Sequence, residues 1–151
     1  MAIWQCDFYV VPMKGISPMD VCYGEESFLY WHKTIALSVF EQEIEKLLDQ
    51  EPSWSKDIHQ YGKSDGTTVQ MSETDNAMAV SIRCRLDMRK PCDQLWGDLF
   101  CLFSGLRGML YYAGKFASIT RENICEMIAT SPAAKFCKDP RRFLDSIRND
   151  L

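Results

Sequence analysis

The stretch Ala79-Val-Ser-Ile-Arg-Cys-Arg-Leu-Asp-Met-Arg89 alternates without a break. Ile82, Cys84, Leu86 and Met88 alternate with Ser81, Arg83, Arg85, Asp87 and Arg89. A period of two belongs to a β-strand with one apolar and one polar face. It is the longest such run in the chain and sits in its middle, so it reads as the central strand of a sheet.

Upstream, Thr67 to Glu73 alternates as well, with Val69 and Met71 on the inner face, and Ile58 to Tyr61 is a short strand. Ser64-Asp-Gly66 turns the chain between them, with Gly66 suited to positive φ, and Thr74 to Ala77 turns it into the central strand. The order strand, turn, strand, turn, strand is a meander, which implies antiparallel pairing. Before it, Leu37, Phe40, Ile44, Leu47 and Leu48 recur at helical spacing opposite Glu41, Glu43, Glu45 and Lys46. Ser38 and Glu41 have capping-box spacing, with an earlier start near Thr34 as the alternative, and Glu51-Pro-Ser-Trp54 stops the helix. Trp4 to Val11 is a first strand closed by Pro12; Lys14 to Glu26 reads as loop. Phe28-Leu-Tyr-Trp31 is either a short strand or the entry to the helix.

Downstream, Pro91 suits the first position of a helix whose apolar stripe, from Leu95 to Leu106, is too wide for a surface helix. Deep packing against the sheet follows, with Gly108 as its end. Met109 to Ala113 is a last short strand and Gly114 to Ser118 a loop. Thr120 caps a further helix that ends at Ser131-Pro132, and Asp139-Pro140 opens a short terminal helix with Phe143, Leu144 and Ile147 on one side. Trp54, Trp96, Tyr111 and Tyr112 are expected in or beside the core. The sum is one α+β domain over residues 1–151, an antiparallel sheet of about four to five strands with helices packed on one side.

Composition fits that domain. The chain has 151 residues, 46% hydrophobic and 25% charged, enough to bury a core. No basic start followed by an apolar run marks a signal peptide, and no run nears the roughly 20 apolar residues of a spanning helix. Seven cysteines without a CxxC pair read as reduced thiols, so a cytoplasmic protein is expected, with neither metal nor cofactor. Charge divides unevenly. Residues 1–79 hold five Lys, no Arg and thirteen Asp or Glu, net −8, whereas residues 80–151 hold twelve Lys or Arg and eight acids, net +4.

No catalytic signature stands out. Gly62-Lys-Ser64 matches the end of a phosphate-binding loop, but the required glycine five residues earlier is Asp57. His32 and His59 are the available bases, and neither has a recognisable nucleophile motif. Arg83, Arg85 and Arg89 share a strand face and suit phosphate or carboxylate. The acidic total and the lack of interleaved aromatics speak against nucleic acid, and the arginines read rather as partners of the acidic first half.

A small, acidic, single domain without catalytic residues resembles the bacterial toxin-immunity proteins. Its stretch Ser131-Pro-Ala-Ala-Lys-Phe-Cys-Lys-Asp-Pro-Arg-Arg-Phe-Leu144 is similar to the ends of small uncharacterised bacterial proteins. The resemblance implies one-to-one binding of a cognate toxin, a basic protein such as a nuclease, steered by acidic residues. Asp57, Asp65, Glu73 and Asp75, in or beside the sheet turns, are the candidate partner-binding residues. The alternative is a small enzyme or ligand-binding domain with a pocket between sheet and helices, using His59 and the arginine face. The two readings differ in geometry. An enzyme brings a His or Cys to the arginines; an immunity protein presents an acidic surface without such a convergence.

Overall fold

The computed structural model describes residues 2–13, 28–32, 37–74 and 79–149. Their elements run β1 (Gln5–Pro12), β2 (Tyr30–His32), α1 (Leu37–Leu47), β3 (Gln50–Glu51), β4 (Ile58–Tyr61), β5 (Thr68–Glu73) and β6 (Ala79–Asp87). Then follow α2 (Asp93–Gly105), β7 (Gly108–Tyr112), β8 (Lys115–Ser118), α3 (Arg121–Thr130), α4 (Pro132–Lys138) and α5 (Pro140–Asn149). The fold is α+β. The strands form one antiparallel sheet in the order β3-β4-β5-β6-β1-β7-β8, with β2 also paired to β6.

The alternation in β6 has the expected consequence. Phe8 of β1 lies opposite Cys84 of β6 and stacks on Phe100 of α2, ring centroids 5.6 Å apart. Cys6, Phe8 and Val10 therefore face the helices, as do Ile82, Cys84 and Leu86, and all six are buried. Phe103 meets Phe8, Phe40 and Phe100, tying α1 and α2 to the sheet. Met127 of α3 and Ala133 of α4 complete the same core. Asp7, Tyr9, Arg83 and Arg85 point to the opposite face.

Several expectations need correction. Among the described residues the sheet has eight strands, not four to five. Of the two readings of residues 28–31, the strand is the one found, as β2. β3 is only two residues long, and a pair that short carries no periodicity. Lys115–Ser118, expected as loop, is β8, turned back onto β7 by Ala113 and Gly114, both at positive φ. Positive φ in the β4–β5 turn falls on Gly62, at 84°, rather than on Gly66. There a Cβ would stand 2.2 Å from the Thr67 carbonyl oxygen. α2 begins at Asp93, two residues after Pro91, and ends at Gly105; Gly108 already belongs to β7. Ser38 lies inside α1. Ser131 ends α3 and also caps α4, a helix that the proline reading treated only as a stop; its hydroxyl accepts the Ala134 N–H at 3.1 Å. Trp54, expected at the core, is 86% exposed. The loop over Lys14 to Glu26, the start near Thr34, and Asp75 with its turn lie outside the described residues.

Candidate partner-binding edge and the arginine face

The acidic stretch of the sequence folds into one flank. α1 buries Phe40 and Ile44 and turns Glu41, Glu43 and Glu45 away from the core. Glu41 and Glu45 lie near Tyr61 of β4. Burial, with their charge added, pushes that phenol up to about 12. β3 then pairs Glu51 with Gln60 at the edge of the sheet.

Between β3 and β4 the chain makes a tied loop. The Ser53 hydroxyl reaches the carbonyl oxygens of Ser55 and Ile58, the latter at 2.6 Å. The Ser55 hydroxyl accepts the Asp57 N–H at 3.2 Å, and the Ile58 N–H donates to the Ser55 carbonyl at 3.2 Å. Trp54 stands outward from this frame, with Glu51 and Asp57 on either side of it along the chain. The Glu73 N–H donates to the Asp57 carbonyl at 2.7 Å, so the end of β5 is fastened to the same loop. His59 Nε2 lies 3.6 Å from Glu73 Oε1.

The structure thus brings together Asp57 and Glu73 but places Asp65 at the other end of the β4–β5 hairpin. Asp65 is part of a latch. Its carbonyl accepts the Trp4 indole N–H at 2.8 Å and an Arg89 N–H at 2.9 Å, and the Arg89 guanidinium covers the Trp4 ring at 4.1 Å. Gln5 adds bonds to the carbonyls of Ser64 and Gly66. Arg89 also grips Asp87 at 3.0 Å. Burial raises the Asp87 pKa, but its bonds with Arg89 outweigh that and hold the carboxyl below its ordinary value. Arg89 is a fastener between β6, the start of β1 and the β4–β5 turn. Trp54 is the residue that sequence reasoning missed; the neighbouring serines and acids were its only signal.

On the sheet face away from the helices, Arg83 donates to Asp7 through Nε at 2.7 Å and through Nη2, and sits 5.5 Å over the Tyr9 ring. Arg85, directly opposite Asp7, comes no nearer than an Nε to oxygen distance of 3.8 Å. His59 pairs with Met71 and therefore faces the helix layer, not the arginines. Cys6 and Cys84 share that helix side. Burial lifts the Cys6 thiol to about 11 and the Cys84 thiol well above its usual range, which disfavours the thiolate a nucleophile needs. Cys137 of α4 lies near Arg89 and Asp87, where burial and the Asp87 charge raise its pKa and disfavour the thiolate. Among the described residues no group of three or more His, Cys, Asp or Glu could hold a metal ion.

No helix among the described residues is long and apolar enough to cross a membrane. No protein-family model matches the chain, and comparison with curated proteins and with solved structures returns no match.

Proposed function

We propose that this chain is an inhibitory binding protein of the toxin-immunity kind, which holds a basic partner protein one-to-one at the edge formed by α1, β3 and the Ser53–Ile58 loop. The reading rests above all on Trp54, a large aromatic side chain, 86% exposed, on a loop whose backbone is tied by two serines. A tryptophan in water on a rigid loop is the usual form of a binding anchor, because it buries much area and loses little freedom on contact. Glu51, Asp57 and Glu73, with the α1 carboxylates behind them, give the anchor an acidic setting that suits a basic surface such as that of a nuclease. Asp65 belongs to the latch and stands apart from this patch.

The experiment is co-expression with the product of the neighbouring gene, followed by size-exclusion chromatography and calorimetry. A one-to-one complex is expected, weakened by about 30-fold or more in Trp54→Ala, the effect of a central aromatic anchor. Lys at Glu51, Asp57 and Glu73 together should abolish it. Absence of a complex, or one that tolerates both changes, overturns the reading.

A cavity of about 370 Å³ supports a second reading, a small-ligand site. It opens between β1 and the α3–α4 junction and is lined by Ile3, Cys6, Tyr112, Met127, Ser131 and Pro132 among others. With its thiol pushed up, Cys6 would serve there as a wall. A saturable rise in melting temperature with small apolar compounds would favour this site.

A further inference from the structure

Among the described residues, the centre of the sheet face away from the helices holds an uneven count of charges. In register, Thr68 of β5 lies opposite Arg85 of β6, and Arg85 lies opposite Asp7 of β1. The three side chains share one row on the face away from the helices. The Asp7 carboxylate is engaged diagonally by Arg83, through two N–H groups. Arg85 is left with a side chain only 12% exposed and a buried Nε–H that has no hydrogen-bond partner. The Thr68 hydroxyl in the same row is also buried and without one. Among the described residues, two guanidiniums share one carboxylate here.

Two adjacent polar groups left unsatisfied in one buried row require an explanation, since most such groups in folded proteins are bonded. A water molecule would satisfy the Nε–H but not the charge. An anion satisfies both, and the available donors, a planar guanidinium and a hydroxyl, suit oxygen ligands. Gln70 and Tyr9 flank Arg83 in the next row and provide polar walls.

We infer that Arg85 and Thr68 form an oxyanion-binding site on the sheet face, taking a phosphate or carboxylate group that supplies the missing negative charge beside the Asp7–Arg83 pair. The site lies in the middle of the sheet, apart from the Trp54 edge, and is independent of the toxin-immunity reading.

The test uses the full chain at fixed ionic strength. Sodium phosphate and sodium acetate replace sodium chloride in separate titrations, followed by melting temperature and by the Arg Nε–H signals in nitrogen-resolved NMR. A saturable rise in melting temperature is expected with at least one of the two, together with a shift of the Arg85 Nε–H signal. A rise with phosphate alone points to a phosphate ligand, and a rise with acetate alone to a carboxylate. Arg85→Met should remove the response. Without added anion it should melt no lower than the parent, because Asp7 and Arg83 then balance. Thr68→Val keeps the charge and should weaken binding by about fivefold, the loss of one hydrogen bond. Neither salt raising the melting temperature, or Arg85→Met responding as the parent does, overturns the site. Arg85→Met melting well below the parent in chloride also overturns it, because the shared Asp7 carboxylate then suffices for Arg85 without an anion.

Discussion

At the end of β6, Asp87 accepts from the Arg89 side chain and backbone at 3.0 Å and from nothing comparable in an unfolded chain. Its carboxyl is held below the ordinary value of 3.8. A depressed folded-state pKa means that the unfolded chain takes up the proton first on acidification. The stabilisation is therefore fully present above the ordinary carboxyl pKa and is lost as pH falls through the lower folded value. Asp87→Asn should lower the urea midpoint at pH 7, and the gap to the parent should close as pH falls below 3.8. Equal midpoints at pH 7 would show that the Trp4–Asp65–Arg89 latch holds without it. Which arginine plays which role was only partly legible. Strand periodicity put Arg83 and Arg85 on one face, as found, but it is silent on geometry. The diagonal reach of Arg83 to Asp7, which leaves Arg85 only a 3.8 Å approach to the same carboxylate, comes from cross-strand register, which a single strand does not encode.

Elements with strong periodicity were legible: β1, α1, β4, β5, β6, the body of α2 and the cap of α3 at Thr120, which accepts the Asn123 N–H. Those that tertiary pairing creates were not. β8 is four residues after a turn, mostly exposed, and exists because β7 offers it an edge. Trp54 looked like core on hydrophobicity alone. The ties made by Ser53 and Ser55 fix the loop outward, and burial is a property of the fold rather than of the residue. α2 was expected to lie deep, and Phe103 shows why it does: fully buried, it touches aromatic rings from β1, α1 and its own helix. Phe103→Ala should cost about 3–5 kcal/mol by equilibrium denaturation, the range for truncating a packed core aromatic. A change under about 1 kcal/mol would mean that α1 and α2 are joined to the sheet by other contacts.

Across the whole molecule the sheet order converts a division in sequence into one in space. Residues 37–73, with eight acids against three lysines, build α1 and the β3–β4–β5 flank. Residues 107–149, with eight Lys or Arg against four acids, begin with β7 and β8 at the opposite flank. The two halves meet at the arginines of β6 and its end, where Arg83 and Arg85 face Asp7 and Arg89 lies 3.8 Å from the Asp65 carboxylate. Arg83 takes Asp7 and Arg89 takes Asp87, while the carboxylates of α1 and the Trp54 loop keep their field outward. A basic partner approaching such a molecule is steered to the acidic flank before any contact forms. That steering is screened by salt: the screening length falls from about 30 Å at 0.01 M to about 3 Å at 1 M. The association rate with the proposed basic partner, followed by stopped-flow tryptophan fluorescence, should therefore drop about tenfold or more across that range. The dissociation rate should change far less, since in the proposed complex it is set by the contact that buries Trp54. Trp54→Ala should have the reverse effect, raising dissociation and leaving the salt dependence of association intact. An association rate that does not vary with salt would place the partner away from the acidic flank, whatever its affinity.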